Sequence, residues 1–248
     1  MLVLINLDGA VERRRSMAAQ LQAHGLAFER IGIDLRAAPI AAVTARVAEQ
    51  FPRLRFDAKA LSGAEIGCWL SHLSAWQRLL ERRSERAATI IEDDLLLAPA
   101  FADTTRVLVQ DSRFDVVYLG TSSRNLSNRR QARIGDVVVH EPVGVILNTW
   151  GYRVTRSYVE KFFAAMTPAR TIRLPIDHFI GGRATWARPT IAVLRPAVVV
   201  EDPVLGVRSQ IGPYTRRIDR LELIEGMRRM LLASPLSEAY YAWRYRHS

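Results

Sequence analysis

Leu2-Val3-Leu4-Ile5-Asn6-Leu7-Asp8-Gly9 opens the chain, and Phe28-Glu29-Arg30-Ile31-Gly32-Ile33 follows after one helix-length of sequence. The first stretch is apolar except for Asn6 and closes on Asp-Gly, the pattern of a strand buried on both faces that ends in a turn. Between the two stretches, Val11 to His24 places Met17 and Leu21 on one helical face, Asp8 stands where a helix cap belongs, and Gly25 stops the helix. The second stretch reads as another short strand. Strand, helix, strand is how a parallel, doubly wound sheet begins, so the expected class is α/β with a mostly parallel sheet flanked by helices.

The rest of the chain extends this pattern. Ile40 to Gln50 reads as a helix that Pro52 ends. Ser62-Gly63-Ala64-Glu65 is a capping box, and the helix it opens runs to about Arg82 with Ile66, Leu70, Leu73 and Leu80 on one face. Ala87 to Ile91 is a third buried strand, ending in Glu92-Asp93-Asp94. Phe101 to Asp111 is helical, and Asp115 to Leu119 is a fourth strand closed by Gly120. Thr121 to Arg133, rich in Ser and Arg, reads as a mobile loop. Val137 to Val139 and Val143 to Leu147 read as strands of a hairpin, and Arg156 to Met166 as a helix. Pro175-Ile176-Asp177-His178 opens a short helix stopped by Gly181-Gly182. Thr190 to Val200 supplies late strands, Glu201 to Tyr214 a loop, and the tail from Ile218 is helical and basic. The expected division is one α/β domain over residues 1–217 and a basic helical tail over 218–248.

The chain has 248 residues, enough for a sizeable core, and its composition (49% apolar, 24% charged) is globular. Net charge is +10, and all but Lys59 and Lys161 of the basic residues are arginine. The excess favours anionic partners, and the guanidinium fork suits phosphate. The basic residues form no stripe interleaved with aromatics, which speaks against nucleic acid. Cys68 is the single cysteine; no intrachain disulfide is possible, and the expected location is cytoplasmic. No apolar run reaches bilayer-spanning length, and Met1 to Asp8 lacks the features of a signal peptide, so any membrane contact is expected to be peripheral.

Four constellations carry chemistry. Glu92-Asp93-Asp94 stands at the C-terminal end of a parallel strand, where ligands of open α/β sheets bind. Three adjacent carboxylates need a counter-charge, and a divalent metal that also grips phosphate oxygens would supply one; strand and turn caps are the other reading. Asn6-Leu7-Asp8 with Glu12-Arg13-Arg14-Arg15 places guanidinium groups beside a helix start, suited to a diphosphate or else a solvated helix face. The glycines of a dinucleotide fingerprint or a P-loop are missing. Glu65, Trp69, His72 and Trp76 share a face of their helix at the edge of the core. Either the two Trp stack on a sugar or base, or they pack; His72 is a site residue or a satisfied structural one, and Glu65 is explained by the capping box. Cys68 reads as packing. Asp177 reads as a helix cap or as a carboxylate beside a substrate hydroxyl. No zinc spacing and no Gly-x-Ser-x-Gly elbow is present.

Taken together, these blocks resemble the family 25 glycosyltransferases, known from lipopolysaccharide and lipooligosaccharide biosynthesis and from collagen galactosyl transfer. The resemblance rests on Ile5-Asn6-Leu7-Asp8 through Glu12-Arg13-Arg14 and Met17, on Phe28 to Asp34, on Leu61 to His72 with its Glu65-Ile66-Gly67-Cys68 and Ser71-His72, and on Glu92-Asp93-Asp94. Weaker echoes stand at Tyr118-Leu119-Gly120, Pro175-Ile176-Asp177 and Ser209-Gln210-Ile211. The resemblance implies a GT-A-like nucleotide-sugar-binding fold, a UDP-sugar donor (often UDP-galactose), a glycan or lipid-linked glycan acceptor, Mn2+ or Mg2+, and inversion at the anomeric carbon. It implies metal ligation by Asp94 and Asp93, and donor contacts from Asn6, Leu7, Asp8, Arg13, Arg14, Glu65, Ser71, His72, Glu92 and Asp93. Asp177 becomes the candidate catalytic base. One departure is that Asn148 stands where the family's pattern has a glycine, although Thr149 and Tyr152 are kept.

Two rival functions are a non-catalytic nucleotide- or glycan-binding protein on the same fold, and a peripheral membrane scaffold. The second would lay Arg228, Arg229, Arg244, Arg246 and Trp243 on an anionic bilayer.

Overall fold

A computed structural model describes residues 1–121, 126–142, 146, 148–167, 170–181 and 187–205. In chain order the elements are β1 (Leu2–Ile5), α1 (Val11–Ala23), β2 (Glu29–Ile31), α2 (Ile40–Gln50), β3 (Arg55–Phe56), α3 (Gly63–Glu81), β4 (Ala87–Glu92), β5 (Leu95–Leu97), α4 (Phe101–Leu108), β6 (Val116–Tyr118), β7 (Leu126–Ile134), β8 (Val137–Pro142), β9 (Gly151–Thr155), α5 (Arg156–Ala165), β10 (Thr171–Ile172), α6 (Ile176–Gly181), β11 (Ile191–Leu194) and β12 (Val199–Glu201). The main sheet has the order β2-β1-β4-β9-β6-β11-β8-β7.

The opening β-α-β unit is present: β1 pairs in parallel with both β2 and β4, and β6 pairs in parallel with β11. The sheet as a whole is mixed, not mostly parallel. β9 enters between β4 and β6 in the opposite direction, and β8 runs antiparallel to β11 and to β7. The strand expected at Val137 exists, but it forms a hairpin with β7, drawn from the stretch expected to be a loop. Gly135, at φ 58°, supplies the positive φ that a tight hairpin turn demands. The expected strand at Val143–Leu147 falls almost wholly outside the described residues, as do Ser209-Gln210-Ile211 and the tail over 218–248 with its arginines and Trp243.

Side chains alternate across the sheet, as strand geometry requires. Val3, Ile5, Ile90, Tyr118, Tyr152 and Val193 meet α2, α3, α5 and α6 on one face. Leu4, Ile91, Val117, Leu119, Ala192 and Leu194 meet α1, α4, β5 and β12 on the other. Both faces are covered, which is why β1, β6 and β11 read as unbroken apolar runs. Trp69 and Trp76 of α3 are fully buried; truncating either to Ala removes roughly 3–5 kcal/mol of packing.

α3 begins as its capping box dictates. Ser62 Oγ accepts from Glu65 N at 3.3 Å, and Glu65 Oε2 accepts from Ser62 N at 2.8 Å. Gly67 lets this helix lie against the segment leaving β2, because a Cβ there would stand 2.6 Å from the Ile33 carbonyl oxygen. Asp8 does not cap α1. The turn Leu7–Ala10 closes first, through Ala10 N to Leu7 O at 2.9 Å, so Ala10 is the cap residue and no side chain bonds the helix start. Asp8 instead pairs with Arg30 at 2.7 Å, largely in solvent.

Candidate active site

β1 and β4 end side by side, and the chain enters β9 at the same edge because β9 runs the other way. Asn6 and Leu7 follow β1, Glu92 ends β4, and Asn148 to Trp150 precede β9. These residues, with parts of α1, α3 and α6, line a cleft of about 360 Å³. Of the residues expected at a site, Asn6, Leu7, Arg13, Glu65, Ser71, Glu92, Asp93, Asp94 and Asp177 line it. Asp8, Arg14 and His72 are not among the lining residues.

The counter-charge for the acidic triplet comes from the chain itself. Arg13 Nη1 lies 3.1 Å from Asp93 Oδ1 and 3.0 Å from Asp94 Oδ2. Its Nη2 donates to the Leu205 carbonyl at 2.6 Å. Arg13, read from sequence as a diphosphate ligand, is therefore turned on the carboxylates, and only 8% of it is exposed. Asn6 Nδ2 donates to Asp93 Oδ2 at 2.6 Å and to the Ala10 carbonyl at 3.1 Å, so both Asp93 oxygens are engaged. β12 pairs with β5 and brings Glu201 to the cleft wall. Asp202, fully buried, closes the next turn by accepting from Val204 N and Leu205 N.

Asp94 differs from its neighbours. Its Oδ1 is buried and has no hydrogen-bond partner among the described residues. Burial first, then the charges of Glu92, Asp93 and Glu201, push its carboxyl up to about 7 against the pull of Arg13. Burial also raises Asp93, partly offset by Asn6 and Arg13. For Glu92 burial pushes upward, but His72, Thr149 and Arg13 outweigh it and hold the carboxyl below its ordinary value. Thr149 Oγ1 donates to Glu92 Oε1; Thr149 was read from sequence only as a family echo, and its role needs β9's direction to be seen.

The remaining candidates divide. Ser71 Oγ accepts from Ile33 N at 2.9 Å and donates to the Gly67 carbonyl at 2.8 Å, so its hydroxyl ties α3 to the chain leaving β2. Glu65 lines the cleft while closing the capping box. Asp177 Oδ1 accepts from His178 N at 2.8 Å and Oδ2 from Asn148 N at 3.2 Å. Asn148 has φ 73°, the left-handed region that favours glycine and that Asn tolerates best among other residues; this accounts for the departure from the family's glycine. Trp69 and Trp76 do not face the cleft, and their indole N–H groups donate to the Leu174 carbonyl and Tyr152 Oη. The packing reading of both is correct. Cys68 lines the cleft, but burial and the charges of Glu92, Asp177, Asp94 and Glu65 push its thiol well up, so it is a poor nucleophile. Asp34 and Arg36, which also line the cleft and pair with each other, were not singled out from sequence.

Among the described residues no three His, Cys, Asp or Glu side chains are grouped to hold a metal ion. One carboxylate oxygen without a partner, Asp94 Oδ1, still fits a hard cation that takes the rest of its shell from water and substrate phosphates. Asp93 fits less well, since its two oxygens are already engaged. Among the described residues no helix is long and apolar enough to cross a membrane.

Residues 1–180 match the family model described as glycosyltransferase family 25 (LPS biosynthesis protein). Over 185 residues the chain is 28% identical to a "Glycosyltransferase 25 family member" of Drosophila pseudoobscura pseudoobscura, a match covering 71% of this chain and 29% of that protein. Over 185 residues it is 25% identical to procollagen galactosyltransferase 2 of Mus musculus, with the same two shares. The chain thus spans less than a third of the length of these relatives. A solved glycosyltransferase involved in the glycosylation of the major capsid of PBCV-1 aligns at 12% identity and a TM-score of 0.43, over 91% of this chain and 98% of that one.

Proposed function

Because the chain belongs to glycosyltransferase family 25, we propose that it moves a hexose, galactose, from a UDP-sugar to a hydroxyl of a glycan acceptor of the lipopolysaccharide or lipooligosaccharide kind, on a GT-A-like fold and with inversion. The observation that carries this reading is Asp94 at the sheet edge: a carboxylate on a cleft, with one buried oxygen that nothing among the described residues satisfies. The family model's description supports the acceptor class, and a relative named as a galactosyltransferase supports the sugar.

Asp94, with Asp93 behind it, would hold Mn2+ or Mg2+; such an ion neutralises charge on a departing diphosphate. The chain's own groups do the rest. Arg13 keeps Asp93 and Asp94 together at the sheet edge and draws the turn at Leu205 against them. Asn6 fixes Asp93. In a single displacement the bond from the acceptor oxygen to the anomeric carbon forms as the bond to the diphosphate breaks. Asp177, held by two backbone N–H groups on the same cleft, takes the acceptor's proton. Contact with the inner membrane face, suggested by the basic residues beyond 218, belongs to the same proposal.

A panel of UDP-sugars, assayed for transfer and hydrolysis with and without divalent metal, tests the reading. Metal-dependent turnover of one donor is the expected result, and UDP binding without turnover of any donor would overturn it. Asp177→Asn should lower kcat by about a hundredfold or more with the fold intact; normal turnover removes Asp177 from the base role.

A further inference from the structure

Behind Glu92 runs a buried polar chain that the transfer chemistry described above leaves unused. Tyr152 of β9 points into the α3 layer and is fully buried, as are Trp76 and His72. Trp76 Nε1–H donates to Tyr152 Oη at 3.0 Å, and the same oxygen lies 2.9 Å from His72 Nδ1. An indole N–H only donates, so the tyrosine oxygen accepts from Trp76; among the described residues Nδ1 is the acceptor within reach of the phenol proton, and we assign the proton to that bond. Burial holds the Tyr152 phenol well above its ordinary pKa, which keeps that proton in place. Nδ1 is then the acceptor, and the ring N–H sits on Nε2.

Nε2 faces the cleft side of the core. It is buried, has no hydrogen-bond partner among the described residues, and stands 3.6 Å from Glu92 Oε1. That is too long for a hydrogen bond, though catalytic hydrogen bonds commonly tighten once substrate is bound. Thr149 bonds the same Glu92 oxygen. Glu92 Oε2 makes no hydrogen bond among the described residues, and the carboxylate lines the cleft. One oxygen is thus addressed from behind by His72 and from the side by Thr149, and the other is left for a ligand. A histidine serving only the core would have both nitrogens satisfied there.

We propose that His72, its tautomer set by Tyr152 and Trp76, is a positioning residue that fixes Glu92 so that Oε2 accepts a hydrogen bond from a hydroxyl of the sugar in the cleft. This rests on the sugar-transfer reading and assigns that site a hydroxyl-reading carboxylate. A carboxylate-to-hydroxyl bond of this kind is charge-assisted and sensitive to placement.

A double-mutant cycle is the test. Glu92→Gln, His72→Gln and Tyr152→Phe should each raise KM for the donor and lower kcat, together costing about 10- to 100-fold in kcat/KM. Adding Tyr152→Phe to Glu92→Gln should cost nothing more, because both act through the one carboxylate. Losses that multiply would mean that Tyr152 is merely structural and would overturn the proposal. The second measurement needs no substitution and no substrate. In the full chain with isotope-labelled histidine, NMR should place the His72 proton on Nε2, and a proton on Nδ1 overturns the relay even if Tyr152→Phe fails to fold. Should no nucleotide sugar be turned over, the transfer reading fails while the tautomer is still decided.

Discussion

Tyr152 and Arg153 are neighbours on β9, point to opposite layers, and are both fully buried. Tyr152 leads through His72 to the acidic edge of the cleft. Arg153 leads to a second buried charge cluster that is not part of the cleft lining. There Nη1 donates to the Phe114 carbonyl at 2.7 Å, Nη2 stands 3.7 Å from Asp111, and Nε and Nη2 have no hydrogen-bond partner. Burial pulls the Arg153 guanidinium down to about 10 in spite of Asp111 and Asp115, as burial pushes Asp94 up to about 7. The two regions carry the same electrostatic signature, a buried charge incompletely paired. What separates them is the space beside Asp94 for a ligand to complete the pairing. A displaced pKa marks desolvation; the cleft next to it is what makes it a candidate for chemistry.

Exchanging losses between the two regions tests this difference. Asp94→Ala should cost about a hundred- to a thousandfold in turnover with little loss of melting temperature. Arg153→Ala should do the reverse, costing about 3 kcal/mol of stability with turnover per folded molecule unchanged. Calorimetry beside a transfer assay reads both, and a shared phenotype would erase the distinction. Asp94→Asn sharpens it through pH. The Asp94 carboxyl, raised to about 7 from 3.8, binds its proton more tightly folded than unfolded. Its contribution to stability is complete below pH 3.8 and lost as pH rises through 7. Wild type should therefore lose several degrees of melting temperature between acid and pH 8 that the Asn variant keeps, while the Asn variant loses activity. The smallest effect belongs to Asn148→Gly, at the lip that Asp177 holds. Glycine relieves the positive φ and frees the unfolded chain, so stability should move by less than about 1 kcal/mol, and a larger drop would show that the Asn side chain itself is needed.

Much of this fold could be read locally. The capping box fixed the start of α3, Gly25 stopped α1 at φ 65°, and α2 spans the residues its pattern assigns. β9 was missed because its signal is not local: Arg153 breaks an apolar strand pattern, and nothing nearby reveals that the arginine is buried. β7 was taken for a loop because it is the sheet's outer strand, where polar and basic residues are the usual protection against edge pairing. In the site, Glu92, Asp93 and Asp94 were legible because three adjacent acids after an apolar strand are costly without a purpose. The carboxylate partners of Arg13 went unread for the same reason that β9 was missed. Its carboxylates lie some eighty residues away in the chain, and a basic helix start looks alike whether it awaits phosphate or answers acid.

Cys68, the only sulfhydryl in the sequence, sits in the wall of the cleft with its proton held by burial and four surrounding acids. On the proposed function, a cation entering there would weaken that grip, and a nucleotide settling over the wall would shield the sulfur from reagents. The molecule thus carries an intrinsic label at its centre, and the pace at which a small alkylating agent consumes it reports what has moved in.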